Sequence, residues 1–272
     1  MTQSPSLLVA QITDVHLFAQ VEQELLGLPT DRSLQLVLER LAELQPKPDI
    51  LLLTGDLSQD LSYESYQRLQ DLLLPFNIPT YWLPGNHDSL PVMRQVLQQP
   101  PISPDKSFLA GGWHFVLLSS WVSGCVYGQI STDSLEWLES QLQLINDKPT
   151  LISLHHPPCL VNSAWLDKSS LQNPESLFAI VDRHPQVKLA VFGHIHQEFS
   201  YQRHGVDYLG SPSTCIQFQP QSVDFTLDKA PPGFRLFALF PDGTYETRIE
   251  RIEKFRDSPI YAKIGNTVSN GY

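Results

Sequence analysis

The chain has 272 residues, of which 42% are hydrophobic, so it can bury the core of one large α/β domain or of two small ones. Its formal net charge of -11 and its singly scattered lysines and arginines exclude the basic surface on which proteins bind nucleic acids. A small anionic substrate stays compatible with this charge if bound cations supply local positive charge.

The cysteines and the first residues indicate where the protein resides. Cys125, Cys159 and Cys215 are an odd, widely spaced set, which favours a reducing compartment over a disulfide framework or a zinc ribbon. The amino terminus lacks the basic region of a signal peptide, and no run of about 18 apolar residues could cross a membrane. We therefore expect a cytoplasmic protein with a single domain over residues 1–256 and a polar tail over 257–272.

Buried strands and amphipathic helices are predicted to alternate along the first two thirds of the chain. The apolar runs that predict strands are residues 7–13, 50–53, 80–83, 113–119, 150–154 and 187–192. Apolar residues with helical spacing lie between most of them, after Thr30, around Tyr66, after Ser131 and from Pro174 onward. Alternation of this kind predicts a layered α/β fold.

The last third of the chain has the pattern of antiparallel hairpins. One is predicted over residues 198–209 with its turn at 203–205, and another over 233–251 with its turn at 241–243. We expect these hairpins to form a second sheet that packs on the first.

Metal-competent side chains follow five of the predicted strands, at the point where each strand ends. They are Asp14 and His16, then Asp56, then Asn86, His87 and Asp88, then His155, and last His194 and His196. If these strands lie in one sheet and point the same way, all these groups gather at its carboxyl edge, where open α/β sheets bind ligands. A segment such as 84–88 is by itself typical of a polar turn, but five polar exits in series favour a site.

This set of ligands is too large for a structural zinc site and contains no thiolate. Oxygen and imidazole ligands together favour two divalent ions of Mn, Fe or Zn. Two ions about 3.5–4 Å apart can hold a bridging hydroxide and bind two phosphate oxygens, the arrangement used for in-line displacement at phosphorus.

The remaining histidines are less well placed for ligation. His155 ends its apolar run and is the predicted ligand, whereas His156 is expected to brace the turn that follows. His114, His184 and His204 follow no buried strand, so surface or hairpin positions are expected for them.

The five polar exits resemble the signatures of the calcineurin-like metallophosphoesterases. The matching segments are Asp14-x-His16, Gly55-Asp56, Gly85-Asn86-His87-Asp88, His155 and Gly193-His194-x-His196. Over nearly the whole chain the resemblance narrows to the bacterial class III cyclic nucleotide phosphodiesterases, through segments 54–60, 82–88, 193–198, 211–218 and 225–228 and the final Gly271-Tyr272. It implies a four-layer α/β/β/α sandwich with a dimetal site at the carboxyl ends of the strands, and hydrolysis of 3′,5′-cyclic AMP to 5′-AMP by in-line attack of a metal-bridging hydroxide.

The resemblance also implies a role for each matching residue. The first metal would be held by Asp14, His16 and His196, the second by Asn86, His155 and His194, and Asp56 would bridge both. The residues implied to meet the substrate are His16, Asp56, Asn86, His87 and His196.

Two further roles concern catalysis. His87 would lie outside the metal sphere and protonate the leaving 3′-oxygen or stabilise charge on the phosphoryl group. Asp88 would orient His87.

Two other segments concern the wall of the site. Trp165 is the aromatic residue expected to approach the adenine. Ser119-Ser120-Trp121 departs from the Asp-Ser-Gln that such enzymes often have.

Two alternatives stay open at the level of sequence. One is a metallophosphoesterase for another diester, such as a 2′,3′-cyclic nucleotide or a nucleotide-linked lipid, although no basic or apolar membrane-facing run is present. The other is a non-catalytic scaffold of the same fold, against which the complete ligand set with His87 argues. Neither the native metal nor the oligomeric state follows from the sequence.

Overall fold

The computed structural model of the protein describes residues 7–254. Within them the strands are β1 (Leu7–Ile12), β2 (Glu24–Leu25), β3 (Leu28–Pro29), β4 (Ile50–Leu53), β5 (Thr80–Trp82), β6 (Ile102–Ser103), β7 (Ser107–Ala110), β8 (Trp113–Leu117), β9 (Thr150–Ser153), β10 (Val187–Phe192), β11 (Phe199–Arg203), β12 (Val206–Gly210), β13 (Gln217–Phe218), β14 (Leu227–Asp228), β15 (Gly233–Leu239) and β16 (Tyr245–Arg251). The helices are α1 (Thr30–Glu43), α2 (Tyr63–Leu73), α3 (Leu90–Val96), α4 (Thr132–Leu144) and α5 (Pro174–Val181), with 3₁₀ turns at Leu74–Phe76 and Asp167–Ser169.

Two mixed sheets of six strands each form the centre of the fold. The strand order is β16-β15-β1-β4-β5-β6 in the first sheet and β11-β12-β10-β9-β8-β7 in the second. The central strands β1, β4, β5 and β6 are mutually parallel, as are β8, β9, β10 and β12. The antiparallel strands β15 and β16 lie at one edge of the first sheet, and β7 and β11 at the two edges of the second.

Alternate side chains of the central strands enter two different buried clusters. In β4, Ile50 and Leu52 belong to one cluster while Leu51 and Leu53 belong to the other. The first cluster takes residues from strands of both sheets and, within 7–254, from no helix, so it fills the space between the sheets. The second contains the buried faces of all five helices, which therefore cover the outer faces. The predicted four-layer α/β/β/α fold is confirmed.

Local sequence explains where most of the helices begin. Ser62 and Ser131 cap α2 and α4, since their hydroxyls accept hydrogen bonds from the backbone N–H groups of Ser65 and Ser134. Pro174 lies in the first turn of α5, where a missing N–H costs no hydrogen bond. The sequence did not predict α3, because its 7 residues are too few to show a helical period.

The strands are divided between the sheets differently from the sequence prediction. The assumption that the five strands with polar exits lie in one sheet is wrong, because β1, β4 and β5 belong to the first sheet and β9 and β10 to the second. The two late hairpins do not form a sheet of their own either. β12 pairs with β10, whereas β15 pairs with β1 and extends the first sheet. Apolar periodicity predicts a strand but not its partner.

Three other expectations concern the chain as a whole. Within residues 7–254 no helix is long and apolar enough to span a bilayer. Cys125, Cys159 and Cys215 are all unpaired. The predicted polar tail over 257–272, with Gly271-Tyr272, lies outside the described residues.

A buried polar bridge joins the two sheets near the strand ends that carry the polar exits. The Gln11 amide on β1 donates to the Phe192 carbonyl on β10 at 3.1 Å and accepts from the Ser211 hydroxyl at 2.6 Å. The Arg235 guanidinium on β15 donates to the Gly210 carbonyl on β12 at 2.8 Å. Because these groups are buried, each depends on its partner across the gap.

Replacing Gln11 with Leu should lower the free energy of unfolding by about 1–3 kcal/mol, because the Phe192 carbonyl and the Ser211 hydroxyl lose a buried partner. Urea unfolding followed by circular dichroism measures this change. The matched control is Gln20→Leu, since Gln20 is exposed and lies outside the sheets. Equal unfolding midpoints for the two variants would show that the bridge adds no stability.

Candidate metal centre

The polar side chains that follow five strands meet where the carboxyl ends of the two sheets face each other. In strand order they are Asp14 and His16 after β1, Asp56 after β4, Asn86 after β5, His155 after β9, and His194 and His196 after β10. All are buried except Asn86, which is half-buried. The structure therefore brings together every residue that the sequence predicted as a metal ligand, and it draws them from both sheets.

One group of ligand atoms surrounds the end of β1. His196 Nε2 lies 3.3 Å from Asp14 Oδ1 and 3.2 Å from His16 Nε2. His16 Nε2 lies 3.8 Å from Asp56 Oδ2. The ligand atoms of Asp14, His16 and His196 all fall within 4.8 Å of one another, which is close enough to share a single ion.

A second group lies on the other side of Asp56. Asn86 Oδ1 is 2.9 Å from His194 Nδ1 and 3.2 Å from His155 Nε2. His155 Nε2 is in turn 3.4 Å from Asp56 Oδ1. Since Asp56 presents one oxygen to each group, its carboxylate is placed to bridge two ions.

Hydrogen bonds on the outer side fix the orientation of three of the rings. The outer Nδ1 atoms of His155 and His196 face the backbone carbonyls of Thr54 and Ile216, both at 2.8 Å. Since a carbonyl accepts only, each Nδ1 carries the proton and each Nε2 turns a lone pair inward. His16 Nδ1 lies 2.7 Å from the side-chain oxygen of Gln59 in the same manner. Inward lone pairs on neighbouring imidazoles suit divalent cations.

The buried carboxylates of the cluster also favour a positive charge beside them. Burial lowers the pKa of His16 to about 4 and lowers the pKa of His194 well below its usual value, so both are neutral near pH 7. Burial opposes charge on His155 as well, but the Asp56 carboxylate outweighs it and raises the pKa of His155 to about 9. That second proton takes up the inward lone pair of His155 Nε2, between Asp56 and Asn86, so the same lone pair can bind either a proton or a metal ion.

A cavity of about 200 Å³ opens above the ligand atoms. Its inner end is polar, with His16, Asp56, Asn86, His87 and His196 among the lining residues. Its outer end is apolar. Such a cavity has room for a small ligand. Because the cluster lines its inner end, the polar group of a bound ligand can contact the cluster.

A second cavity, of about 620 Å³, lies between α5 and β11. Its one lining cation, Arg203, forms an ion pair with Asp182 and covers the ring of Phe178. None of its lining residues belongs to the ligand clusters found within residues 7–254. The larger cavity therefore has fewer side chains that could bind a metal or catalyse a reaction than the smaller one.

His87 differs from the other histidines of the site. It is half-buried, and its backbone N–H donates to Asp56 Oδ1 at 2.8 Å. Its ring meets the ring of His16 edge-on with centroids 5.1 Å apart and lines the cavity. Within the described residues neither ring nitrogen of His87 makes a hydrogen bond, so both can reach a ligand.

Asp88 does not act on His87, and that interpretation is corrected. The buried carboxylate of Asp88 accepts from the backbone N–H groups of Leu57, Ser58 and Gly85 and from the Tyr66 hydroxyl, at 2.9–3.2 Å. These donors fill both oxygens. Asp88 therefore ties the turn after β5 to the turn after β4, which sets the distance between Asn86 and Asp56.

Ser119-Ser120-Trp121, the segment that departs from the family pattern, contacts residues next to the candidate ligands. The Trp121 indole donates to the Asp88 carbonyl at 3.0 Å, and the Ser120 hydroxyl lies 2.8 Å from His156 Nδ1. His156 Nε2 faces the Val126 carbonyl at 3.1 Å, so both of its nitrogens have protein partners, although one of them also lies within 4.8 Å of ligand atoms of His155 and His194. His156 thus braces the turn while His155 faces the ligands.

The other three histidines lie away from the cluster, but not all where expected. His204 is exposed in the turn between β11 and β12. His114 lies in the β7-β8 hairpin, which agrees with the expectation, although it is fully buried there. The expectation of a surface or hairpin position is wrong for His184, which is buried beside Glu139. Their burial depends on packing between elements, which the local pattern does not reveal.

The backbone around the site adopts unusual conformations. Asp14, His16, Asp56, His194 and His196 all have φ between 47° and 68°. Positive φ is uncommon outside glycine and costs about 1–3 kcal/mol for each residue. Five such residues among the seven candidate ligands indicate that the packing of the site, rather than the local preference of each residue, determines these conformations.

The comparisons with known proteins agree with this geometry. The family model for the calcineurin-like phosphoesterases matches residues 7–198. This chain belongs to the calcineurin-like phosphoesterase family. It is 54% identical to a 3′,5′-cyclic-nucleotide phosphodiesterase of Nostoc over 93% of this chain and 95% of that protein. It is 42% identical to the 3′,5′-cyclic adenosine monophosphate phosphodiesterase CpdA of Escherichia coli K12, over 97% and 94% of the two chains.

Two solved structures share the fold. A dimetal phosphatase from Danio rerio aligns with a TM-score of 0.64 at 17% identity, covering 92% of this chain and 97% of that one. A purple acid phosphatase from yellow lupin aligns with a TM-score of 0.67 at 16% identity, covering 92% of this chain and 52% of that one. A calcineurin-like phosphoesterase is expected to hold a divalent dimetal site, and the two ligand groups around Asp56 fit it.

For several residues of this phosphoesterase site the sequence predicted no role, although most of them lie in the segments that carry the family resemblance. Gln59, Thr54 and Ser169 orient the ligand histidines, and Phe218 and Phe225 line the outer part of the cavity. Thr54 and Ile216 act through backbone carbonyls, which any residue possesses, so their side chains give no signal of this role. The side chains became recognisable once the positions of the ligands were known.

Gly193→Ala should abolish metal binding, because a Cβ at this position would clash with the Thr13 hydroxyl and approach Asp14 Oδ2 to 2.7 Å. Metal content after gel filtration measures the loss. The control is Gly205→Ala, where φ is +81° but no atom lies within 4 Å, so strain acts without a clash at the site. A Gly193→Ala protein with two ions per chain would contradict the close approach.

Proposed function

We propose that the protein is a metal-dependent phosphodiesterase that hydrolyses 3′,5′-cyclic AMP to 5′-AMP. The observation that carries this proposal is the pair of ligand groups on either side of Asp56, with the free ring of His87 beside them in the same cavity. Its relatives in Nostoc and Escherichia coli, which bear phosphodiesterase names and align with nearly the whole chain, support the substrate.

Each ligand then has a defined role. We assign the first ion to Asp14, His16 and His196, the second to Asn86, His155 and His194, and the bridging position to Asp56. When bound, two divalent ions supply positive charge for the phosphoryl oxygens and lower the pKa of water so that hydroxide attacks at neutral pH. The donor set accepts Mn, Fe or Zn, and the supply of metal decides among them.

The side chains that meet the substrate lie at the polar end of the cavity. His16, Asp56, Asn86 and His196 hold the phosphate in place through the centre that they build. His87 donates a proton to the 3′-oxygen as its bond to phosphorus breaks, because its ring nitrogens face the cavity and have no other partner within residues 7–254. Without that proton the leaving group is a strongly basic alkoxide.

The setting of this activity follows from the composition of the chain. We propose a cytoplasmic enzyme, which the three unpaired cysteines support. The net charge of -11 argues against nucleic acid as a partner. A single domain over 1–256 with a polar tail over 257–272 remains our proposal for the organisation of the chain.

Removing a single ligand should remove turnover. Asp56→Ala and Asn86→Ala are each expected to lower kcat/KM for 3′,5′-cyclic AMP by about 10²–10³-fold or more, because the site loses a charge or an oxygen ligand. Chelation of the wild-type protein should do the same, and reloading with Mn, Fe or Zn should restore it. Asp60→Ala is the control, since Asp60 is an exposed carboxylate that binds Ser62 and Ala19. Near wild-type activity in Asp56→Ala would exclude the dimetal proposal.

His87→Ala should affect substrates according to their leaving group. For 3′,5′-cyclic AMP we expect kcat to fall by about 10²–10⁴-fold, as for loss of a general acid. For bis(p-nitrophenyl) phosphate the loss should be much smaller, because p-nitrophenolate leaves without a proton. Equal losses on both substrates would contradict the acid role. Assays with 2′,3′-cyclic AMP test the rival substrate class. A higher kcat/KM for 2′,3′-cyclic AMP than for 3′,5′-cyclic AMP would establish 2′,3′-cyclic nucleotides as the substrates.

A further inference from the structure

The outer end of the site cavity is built from apolar side chains. Three aromatic rings, Trp165, Phe218 and Phe225, contact one another there with centroids 4.9–5.5 Å apart and nearly perpendicular planes. We call these three rings the aromatic wall. Across the cavity lie Leu25 and Leu26, at the tip of the β2-β3 hairpin.

The aromatic wall is connected to the metal centre by direct contact. The Phe218 ring stacks on the ring of His196, with centroids 4.1 Å apart and planes 15° apart. Phe218 is 9% exposed, whereas Phe225, the next ring outward, is 50% exposed. The wall thus begins at a candidate metal ligand and ends with a half-exposed aromatic ring.

Polar groups near the wall are already bonded. The Trp165 indole N–H donates to the Ser222 hydroxyl at 3.1 Å, and that hydroxyl donates to the Gln219 carbonyl at 3.0 Å. Ser169 Oγ lies 3.0 Å from both the Leu166 carbonyl and His194 Nε2. Gln59, which also lines the cavity, has its side-chain oxygen 2.7 Å from His16 Nδ1, while its amide nitrogen forms no hydrogen bond within residues 7–254. Among the described residues, the outer end of the cavity therefore offers a ligand apolar surface and aromatic rings, but few hydrogen-bonding groups.

We propose that the aromatic wall binds the nucleobase of a cyclic nucleotide by stacking, so that the enzyme selects purines by ring area and discriminates little between adenine and guanine. This proposal rests on the proposed function. A phosphate held at the metal centre directs the rest of the nucleotide toward the outer end of the cavity, which the half-exposed ring of Phe225 lines. Stacking on an aromatic ring accepts any base, because every base has a π face.

The expected selectivity follows from how binding sites discriminate. A site that forms hydrogen bonds to a substrate rejects an analogue lacking them by about 10⁴–10⁵-fold, while an apolar surface discriminates far less. Adenine and guanine have the same ring system and differ in their polar edges. We therefore expect kcat/KM for 3′,5′-cyclic AMP and 3′,5′-cyclic GMP to agree within about tenfold. Cyclic CMP should be the poorest of the three because its single ring covers less of Phe225.

Phe225→Ala tests the wall directly. Loss of a stacked ring weakens binding of a base about 5- to 150-fold, so KM for cyclic AMP and for cyclic GMP should rise by similar factors in that range. Metal content after gel filtration reports whether the metal centre of the variant is intact and should stay at the wild-type value. Phe225→Tyr should restore wild-type KM. The matched control is Val223→Ala, since Val223 is 72% exposed two residues away and does not line the cavity.

Equilibrium dialysis of 5′-AMP gives a measurement that does not depend on catalysis, and its Kd should rise in Phe225→Ala by the same factor as KM. An unchanged KM and Kd in this variant would overturn the wall while leaving the proposed function intact. A ratio above about 100 between cyclic AMP and cyclic GMP in the wild type would overturn weak discrimination, and the Gln59 amide would be the first group to examine. Absence of turnover for every cyclic nucleotide, with bis(p-nitrophenyl) phosphate still hydrolysed, would refute both the proposed function and this inference.

Discussion

The metal centre depends on the close approach of loops from two separate sheets, and glycine permits that approach. A Cβ on Gly55 would come within 2.6 Å of His155 Nδ1, and one on Gly85 would clash with Asp56 Oδ1. A Cβ on Gly193 would clash with Thr13 beside Asp14. Each of these glycines follows a strand, so the ligands that come next can converge on one point. The hydrogen bonds between the sheets and the network around Asp88 maintain the same spacing.

Convergence on this point places several backbones in unfavourable conformations. Positive φ at residues such as Asp14 and His194 costs about 1–3 kcal/mol each, and burying carboxylates beside neutral imidazoles costs more. The fold offsets these costs with apolar contacts between the sheets and with backbone donors, as where His194 N–H binds the Asp14 carboxylate at 3.1 Å. Stability that the chain gains in its core is therefore what allows a strained and charged site at its edge.

Much of this arrangement could be predicted from the sequence, and the part that could not has a physical cause. Short apolar runs such as residues 50–53 predicted strands, and the polar residue after each run predicted a candidate ligand, because both signals are local. Assignment of β9 and β10 to a second sheet was missed, since pairing is decided over long distances in the chain. The partners of Asp88 and the carbonyl that orients His196 were missed for the same reason.

Separation of the ligands along the chain has a consequence for biosynthesis. Asp14 and His194 are 180 residues apart in sequence and yet are in direct hydrogen-bonding contact. During translation, Asp14, His16, Asp56 and Asn86 leave the ribosome long before β9 and β10 supply the remaining imidazoles, so the nascent chain has at most part of the centre. Contacts of such long range form late because closing the intervening loop costs chain entropy. The enzyme would therefore acquire its metals after folding, in proportion to what the surrounding compartment then contains.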